Sequence, residues 1–231
     1  MSSTTDNHFT WIAPIYDVLA HCYSFGQISR SKLSQVAHIK PGHRVLYAGA
    51  GNAEDAIAAA VSGAQVTVVE LSPNMLERAQ RKALEAGVAR VIDWQCEDIM
   101  AYISARANTE KPKFDVVVAN YFLNVFDAET MPKLFDRLLE ALANKGRVMV
   151  ADFAPLSSGK VSRAFQKLYF FAAVSAFRLI AGNAWHPLYD YAALMTSRDL
   201  NVEHEQGFRL LGLGPAWYRS TIARKPESTN E

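Results

Sequence analysis

Apolar positions along the chain follow two alternating rhythms. Short continuous runs at Arg44 to Ala48, Gln65 to Glu70, Arg90 to Trp94, Phe114 to Ala119 and Arg147 to Ala151 read as strands. Helical spacing separates several of them. One helix is predicted from Ala53 to Ser62, stopped by Gly63, and another from Pro73, capped by Ser72, to about Ala86. A third runs from Met131 to Ala143, where Leu134, Leu138, Leu139 and Leu142 form one stripe. Strands that are apolar throughout and alternate with helices predict a parallel sheet covered on both faces, the doubly wound α/β architecture. Ligands of such sheets sit outside the carboxyl ends of the strands.

The flanks follow other rules. Phe9 to Ala37 predicts two helices, with Trp11, Ile12, Ile15, Val18 and Leu19 at helical spacing and Phe25-Gly26 as the break. After Asp152 come helical segments at Val161 to Ile180 and Tyr191 to Arg198. Two final strands, Asn201 to Leu210 and Trp217 to Arg224, flank Gly212-Leu213-Gly214-Pro215. The expected whole is a Rossmann-like sheet of seven strands with an antiparallel C-terminal hairpin and a helical lid. Its parts are a helical cap over 1–40, an α/β core over 41–155, a lid over 156–200, the last strands over 201–225 and a disordered tail from 226, with Lys225 already part of that tail.

Composition narrows the function. The 231 residues carry a formal net charge of +1, which gives no global case for a nucleic-acid partner. Cys22 and Cys96 make neither a disulfide framework nor a zinc spacing, so a cytoplasmic setting is the default. The uncharged stretch Leu168 to Phe177 is ten residues. As a helix it reaches about 15 Å, half the thickness of a bilayer core, so it cannot span but suits a membrane surface or a lipophilic ligand.

The chemistry gathers at predicted strand ends. Val45-Leu46-Tyr47-Ala48-Gly49-Ala50-Gly51-Asn52-Ala53 is a strand, a tight turn and a helix start, where glycines admit a ligand to the backbone and a helix N-terminus offers free N–H groups. Glu70, ending the second strand, is placed to accept from both hydroxyls of a ribose. Leu71 and Met75 adjoin it. Asp98, in Glu97-Asp98-Ile99 after the third strand, is placed to accept from an exocyclic amine. Asn120 and Tyr121 end the fourth strand and would floor the ligand.

These residues resemble class I S-adenosylmethionine (SAM) methyltransferases over about Pro41 to Pro155. The opening Phe9-Thr-Trp-Ile-Ala-Pro-Ile-Tyr16-Asp17, with Ser24-Phe25-Gly26, is similar to that of UbiE-type quinone methyltransferases. The resemblance implies that Gly49 and Gly51 hold the methionine part of SAM, Glu70 its ribose and Asp98 its adenine, with Tyr16 closing over the cofactor. It also implies a quinone-like or other lipophilic acceptor. His186, beside Pro187 and Tyr189, is the preferred catalytic base, and His21 the second choice.

Two positions depart from that family: Tyr47 stands where an acid is expected, and Ala53 where a third glycine is. Tyr47 is therefore counted with His186 and Tyr189 as a catalytic candidate, and Tyr47→Asp is expected to tighten SAM binding if the phenol is merely a lost acid. Tyr47 and the segment Asn183 to Tyr191 resemble the rhodoquinone-biosynthesis (RquA) enzymes, which implies SAM as amino donor to ubiquinone together with a divalent metal, Mn or Mg. Loss of the acid would lower the pKa of the SAM amine. Asp190, Asp17 and His186 offer metal-ligating atoms without forming a metal motif. A SAM-binding protein without turnover is a third reading, and the glycine pattern disfavours a nicotinamide dehydrogenase.

Overall fold

The computed structural model describes residues 24–107, 109, 112–181 and 188–227. Seven strands form one sheet in the order β3-β2-β1-β4-β5-β7-β6. They are β1 (Arg44–Ala48), β2 (Gln65–Val69), β3 (Ile92–Gln95), β4 (Phe114–Val118), β5 (Leu142–Phe153), β6 (Asn201–Phe208) and β7 (Tyr218–Arg224). Strands β1 to β5 pair in parallel, and β7 lies antiparallel between β5 and β6. The helices are α1 (Gln27–Leu33), α2 (Glu54–Val61), α3 (Pro73–Glu85), α4 (Ile99–Ala107), α5 (Thr130–Glu140), α6 (Lys160–Ala181) and α7 (Tyr191–Thr196). None of the described helices is long and apolar enough to cross a membrane.

Strand side chains alternate between the two faces, so each apolar run feeds two cores. Leu46, Val117 and Val148 pack with Tyr102, Phe135, Leu138 and Tyr191 of α4, α5 and α7. Val45, Tyr47, Val66 and Val116 pack on the other face with Ala56, Ala59 and Ala83 of α2 and α3. Alanines there let α2 lie close on the sheet, carrying its N-terminus to the carboxyl end of β1. At the opposite end Arg44 clasps Asp115 through both carboxylate oxygens, at 3.1 and 2.7 Å, tying β1 to β4. Asp115 thus stands at the end of the sheet away from the glycine turn.

The predicted sheet, its order of connection and its hairpin are all present, with element ends shifted by a residue or two. Three differences have physical causes. Helix α4 was not predicted: its short apolar pattern is weak, and the helix begins on Asp98, whose side chain caps it. β5 starts at Leu142 because Phe114 pairs with Leu142 before the register shifts, which shortens α5. Lys225, expected in a free tail, donates its amide to Gly146 at 2.8 Å. The first of the two N-terminal helices lies outside the described residues, while Phe25 and Gly26, the predicted break between the helices, both take positive φ.

The turn after β1 is built on three left-handed residues: Gly49 (φ +62°), Gly51 (φ +56°) and Ala53 (φ +53°). Ala53 is the residue preceding α2 and is fully buried. A side chain in that conformation costs roughly 1–2 kcal/mol, which glycine avoids. Ala53→Gly should therefore leave the protein as stable or more stable by up to about 1 kcal/mol, after glycine's greater unfolded-state freedom is allowed for. Ala59→Gly, inside α2, should cost about 1 kcal/mol or more. Denaturant unfolding of the two variants measures the contrast, and a larger loss for Ala53→Gly would contradict it.

Candidate functional site

At the carboxyl ends of β1 and β2 the glycine turn and Glu70 are bonded to each other. Glu70 accepts from the Gly51 amide at 3.0 Å and from the Ser72 amide at 2.9 Å. Those bonds fix the carboxylate while leaving lone pairs on both oxygens, the state needed to receive two hydroxyls. Met75 flanks the same turn: its Cε lies 3.6 Å from where a Cβ on Gly51 would stand. Leu71 is 68% exposed beside it. A Cβ on Gly49 would stand 2.1 Å from the ring of Phe122, so glycine is required there. Gly49, Ala50, Gly51, Glu70, Leu71 and Met75 thus form one corner.

The third strand contributes less directly. Asp98 accepts from the amides of Met100 and Ala101 at 2.9 and 3.0 Å, which is an N-cap, and is otherwise exposed. Its free oxygen is what remains for a ligand. Glu97 is half-buried beside it, and the Ile99 side chain is in the core rather than at a site.

Asn120 is an internal connector. Its Nδ2 donates to Gln35 at 2.9 Å and to Asp55 at 2.8 Å, and its Oδ1 accepts from the Ala151 amide. Asp55 is 2% exposed and lies 3.4 Å from Nζ of Lys32, which also reaches Glu54 and Asn52 at 3.2 Å. Burial pushes the Lys32 pKa down, and Asp55 and Glu54 overcome this, holding it above its ordinary value. Gln35 continues the network to Ser220 of β7 at 3.1 Å. Neither Lys32 nor Gln35 carried a sequence signal, being far along the chain from the turn. Asp55 had one, as an acid in the first turn of a helix.

Tyr47 requires a correction. Its side chain points into the sheet–α2 core, 2% exposed, and its hydroxyl donates to the backbone carbonyl of Asp55 at 3.2 Å. Burial, and then the Asp55 carboxylate, push its pKa well above the usual tyrosine value. The phenol is therefore a packing group, not a proton donor or cofactor ligand. The expectation that Tyr47→Asp would tighten binding falls with it, because a carboxylate there would be buried beside Asp55.

On the far side of the turn stands an aromatic group. Tyr121, at φ +50°, bonds its hydroxyl to Ser31 at 2.8 Å, meets Phe153 edge-on and lies tilted against Tyr218, with ring centres 6.1 and 6.2 Å apart. Phe170 and Tyr169 of α6 extend the group toward Trp217. Beside it Asp152, at the carboxyl end of β5, accepts from Tyr191 at 2.7 Å and Asn124 at 2.8 Å. Burial raises its pKa to about 6, against the hydrogen bonds from Tyr191, the Phe153 amide and Asn124 that lower it. The strand-end rule applied to β1 through β4 would have found Asp152 if carried one strand further. Tyr189 donates to the Phe126 carbonyl at 2.9 Å, so its hydroxyl is engaged with the loop after β4. His186, Tyr16, His21 and Asp17 lie outside the described residues.

No group of three potential metal-ligating side chains occurs among the described residues, and Asp190 is used as the cap of α7, accepting from Ala193 at 3.1 Å.

Two predictions follow from these environments. Asp152 holds its proton more tightly folded than unfolded, so its ionisation opposes folding: the effect is absent below about pH 4 and grows as pH rises to about 6. Asp152→Asn should exceed the wild type in stability near pH 7 by on the order of 2–3 kcal/mol, the gap closing near pH 4. Unfolding curves across that range measure it, and a gap independent of pH would refute the assignment. For Tyr47, replacement by Phe should cost about 1 kcal/mol, while Asp should cost about 3 kcal/mol or more; equal losses would show that the phenol is not buried.

The family described as "Methyltransferase domain" matches residues 45–146. The chain is 32% identical over 161 residues to the ubiquinone/menaquinone biosynthesis C-methyltransferase UbiE of Syntrophotalea carbinolica, covering 65% of this chain and 63% of that protein. It is 27% identical over 183 residues to the demethylmenaquinone methyltransferase of Clavibacter sepedonicus, covering 76% and 69%. Against an uncharacterised protein of Mycobacterium tuberculosis it is 28% identical over 123 residues and spans 42% of that relative's length. Among solved structures, magnesium protoporphyrin IX methyltransferase from Synechocystis with SAH bound shares the fold at a TM-score of 0.62 and 19% identity, over 87% of this chain and 84% of that one. Residues 45–146 thus resemble a methyltransferase domain, and the seven-stranded fold around them is one shared with a solved methyltransferase.

Proposed function

We propose that the chain is a SAM-dependent methyltransferase acting on a quinone-like or other lipophilic small molecule. The observation that carries the reading is Glu70, fixed by the Gly51 and Ser72 amides at the junction of the glycine turn and β2. In this reading the turn receives the methionine part of SAM, Glu70 the ribose hydroxyls and the free oxygen of Asp98 the adenine amine. The acceptor enters over the aromatic group of Tyr121, Phe153 and Tyr218. The names of the UbiE and demethylmenaquinone relatives support a quinone-like acceptor.

The transfer is an in-line displacement. A lone pair of the acceptor forms the new bond to the methyl carbon, the carbon–sulfur bond breaks, and sulfur leaves as a neutral thioether. The protein's contribution is chiefly alignment, worth several kcal/mol of the barrier. A base removes the acceptor's proton. His186 is proposed for that role, and Asp152, with its pKa near 6 and Tyr191 as its contact, is the described carboxyl able to exchange a proton close to neutral pH.

One observation favours a second reading, in which the amino group of SAM is transferred to ubiquinone. Position 47 holds no acid, and Glu54 and Asp55 near the turn are paired with Lys32, so the SAM amine would meet less negative charge. Of the candidate ligands for the metal of that chemistry, Asp190 caps α7, and Asp17 and His186 lie outside the described residues.

One experiment separates the readings: incubation with SAM and either a hydroxylated quinone precursor or a ubiquinone analogue, with products followed by mass. A methyl gain is expected. Replacement of methoxy by amino would transfer the proposal to the second reading, and SAM bound without any product would refute transfer to quinones. In parallel, Glu70→Ala should weaken SAM binding by about a hundredfold or more in calorimetry, roughly the loss of two hydrogen bonds to a charged group. Unchanged affinity would refute the ribose assignment.

A further inference from the structure

We infer that one face of the protein, at the carboxyl end of the sheet, docks on an anionic lipid bilayer. The inference rests on exposed side chains and charge alone, independently of which group is transferred from SAM.

Helix α6 presents three distinct sides over its first eleven residues. Gln166 and Phe170 face the protein, where Gln166 holds the Ser157 amide at 2.7 Å and the Ala216 carbonyl at 2.9 Å. Val161, Phe165 and Leu168, spaced to share one stripe, are 71%, 63% and 68% exposed. Lys160, Arg163 and Lys167 share another exposed side. A helix with an apolar stripe beside a basic one is the form that lies in a bilayer interface, its lysine stems reaching back to the headgroups.

The loop between β6 and β7 continues this surface. It meets α6 through Tyr169 and Trp217, with ring centres 4.4 Å apart, and exposes Leu211 and Leu213 at 74% and 77%. Leu211 also borders an open groove of about 1350 Å³ that it shares with Phe25, Leu33, Arg30 and Arg209. Phe25 is 58% exposed. Phe153 pairs with Tyr218, and Phe208 with Tyr218, so α6 and the loop both depart from the end of the sheet where the candidate site lies. Leu84 of α3, also exposed, lies in the chain between Lys82 and Glu85, and a lone exposed leucine is ordinary.

Charge selects the occupant. The three segments that build this face, residues 24–35, 153–170 and 207–218, contain no Asp or Glu. Arg30, Lys160, Lys167 and Arg209 are exposed, and among the described residues none is ion-paired. Cations without carboxylates around protruding Phe and Leu match a negatively charged headgroup layer over hydrocarbon. Docking in this way turns the carboxyl ends of the strands toward the membrane, giving a lipophilic acceptor a short route from lipid to site.

The test is sedimentation of the full chain with vesicles of phosphatidylcholine alone, or with about a third phosphatidylglycerol. Binding is expected only to the mixed vesicles, and weaker at high salt. Phe165→Asp with Leu168→Asp, and separately Lys160→Glu with Lys167→Glu, should each weaken binding roughly tenfold or more. Leu84→Glu, exposed on α3, should bind as the wild type does; circular dichroism checks that all variants are folded. Equal binding to both vesicle types, no binding, or binding untouched by both double variants would overturn the inference. So would a dimer in solution that the Phe165 and Leu168 substitutions abolish, which would assign the face to a second copy of the chain.

Discussion

The buried pair of Lys32 and Asp55 is the contact on which the site's geometry depends. It joins α1 to the first turn of α2, and Asn120 extends it to the end of β4, Ala151 of β5 and, through Gln35, Ser220 of β7. Five elements are fixed by one chain of polar bonds. Two desolvated charges seldom add net stability compared with an apolar pair, but losing either partner leaves the other uncompensated, at roughly 3–5 kcal/mol. Such a network specifies one arrangement more than it strengthens it. Here the arrangement sets how α1 lies over the glycine turn.

Several candidate ligands have a structural duty as well. Glu70 ties the turn to the start of α3, and Asp98 caps α4. These duties orient each carboxylate before any ligand arrives, which lowers the ordering cost of binding. Tyr47 shows the opposite outcome, a strand-end residue wholly absorbed by packing. The turn accommodates both a phenol in place of an acid and an alanine in left-handed conformation.

The acceptor side differs in character. Aromatic rings from the loop after β4 and from β5, β7 and α6 converge there, and burial of Asp152 raises its pKa. The same end of the sheet carries the exposed apolar and basic residues of α6 and the β6–β7 loop. In the proposed reading the cofactor would be held by backbone turns and fixed carboxylates, and the acceptor by rings beside the surface proposed to dock on lipid.

The sequence by itself determined the doubly wound sheet, because uninterrupted apolar strands between helices have no other way to bury both faces. It determined the glycine turn and Glu70 too, since both are set by local backbone rules within one strand–turn–helix unit. Helix α4 escaped because its pattern is short and its cap was read as a ligand. The direction of the Tyr47 side chain was decided only in the tertiary structure: alternation places residues 45 and 47 on one face, but nothing local says that α2 covers it. Lys32 and Asn120 likewise met Asp55 only through folding, from positions 23 residues before and 65 after it in the chain. Local conformational preference can be read along a chain, whereas a buried polar network exists only where separate elements converge.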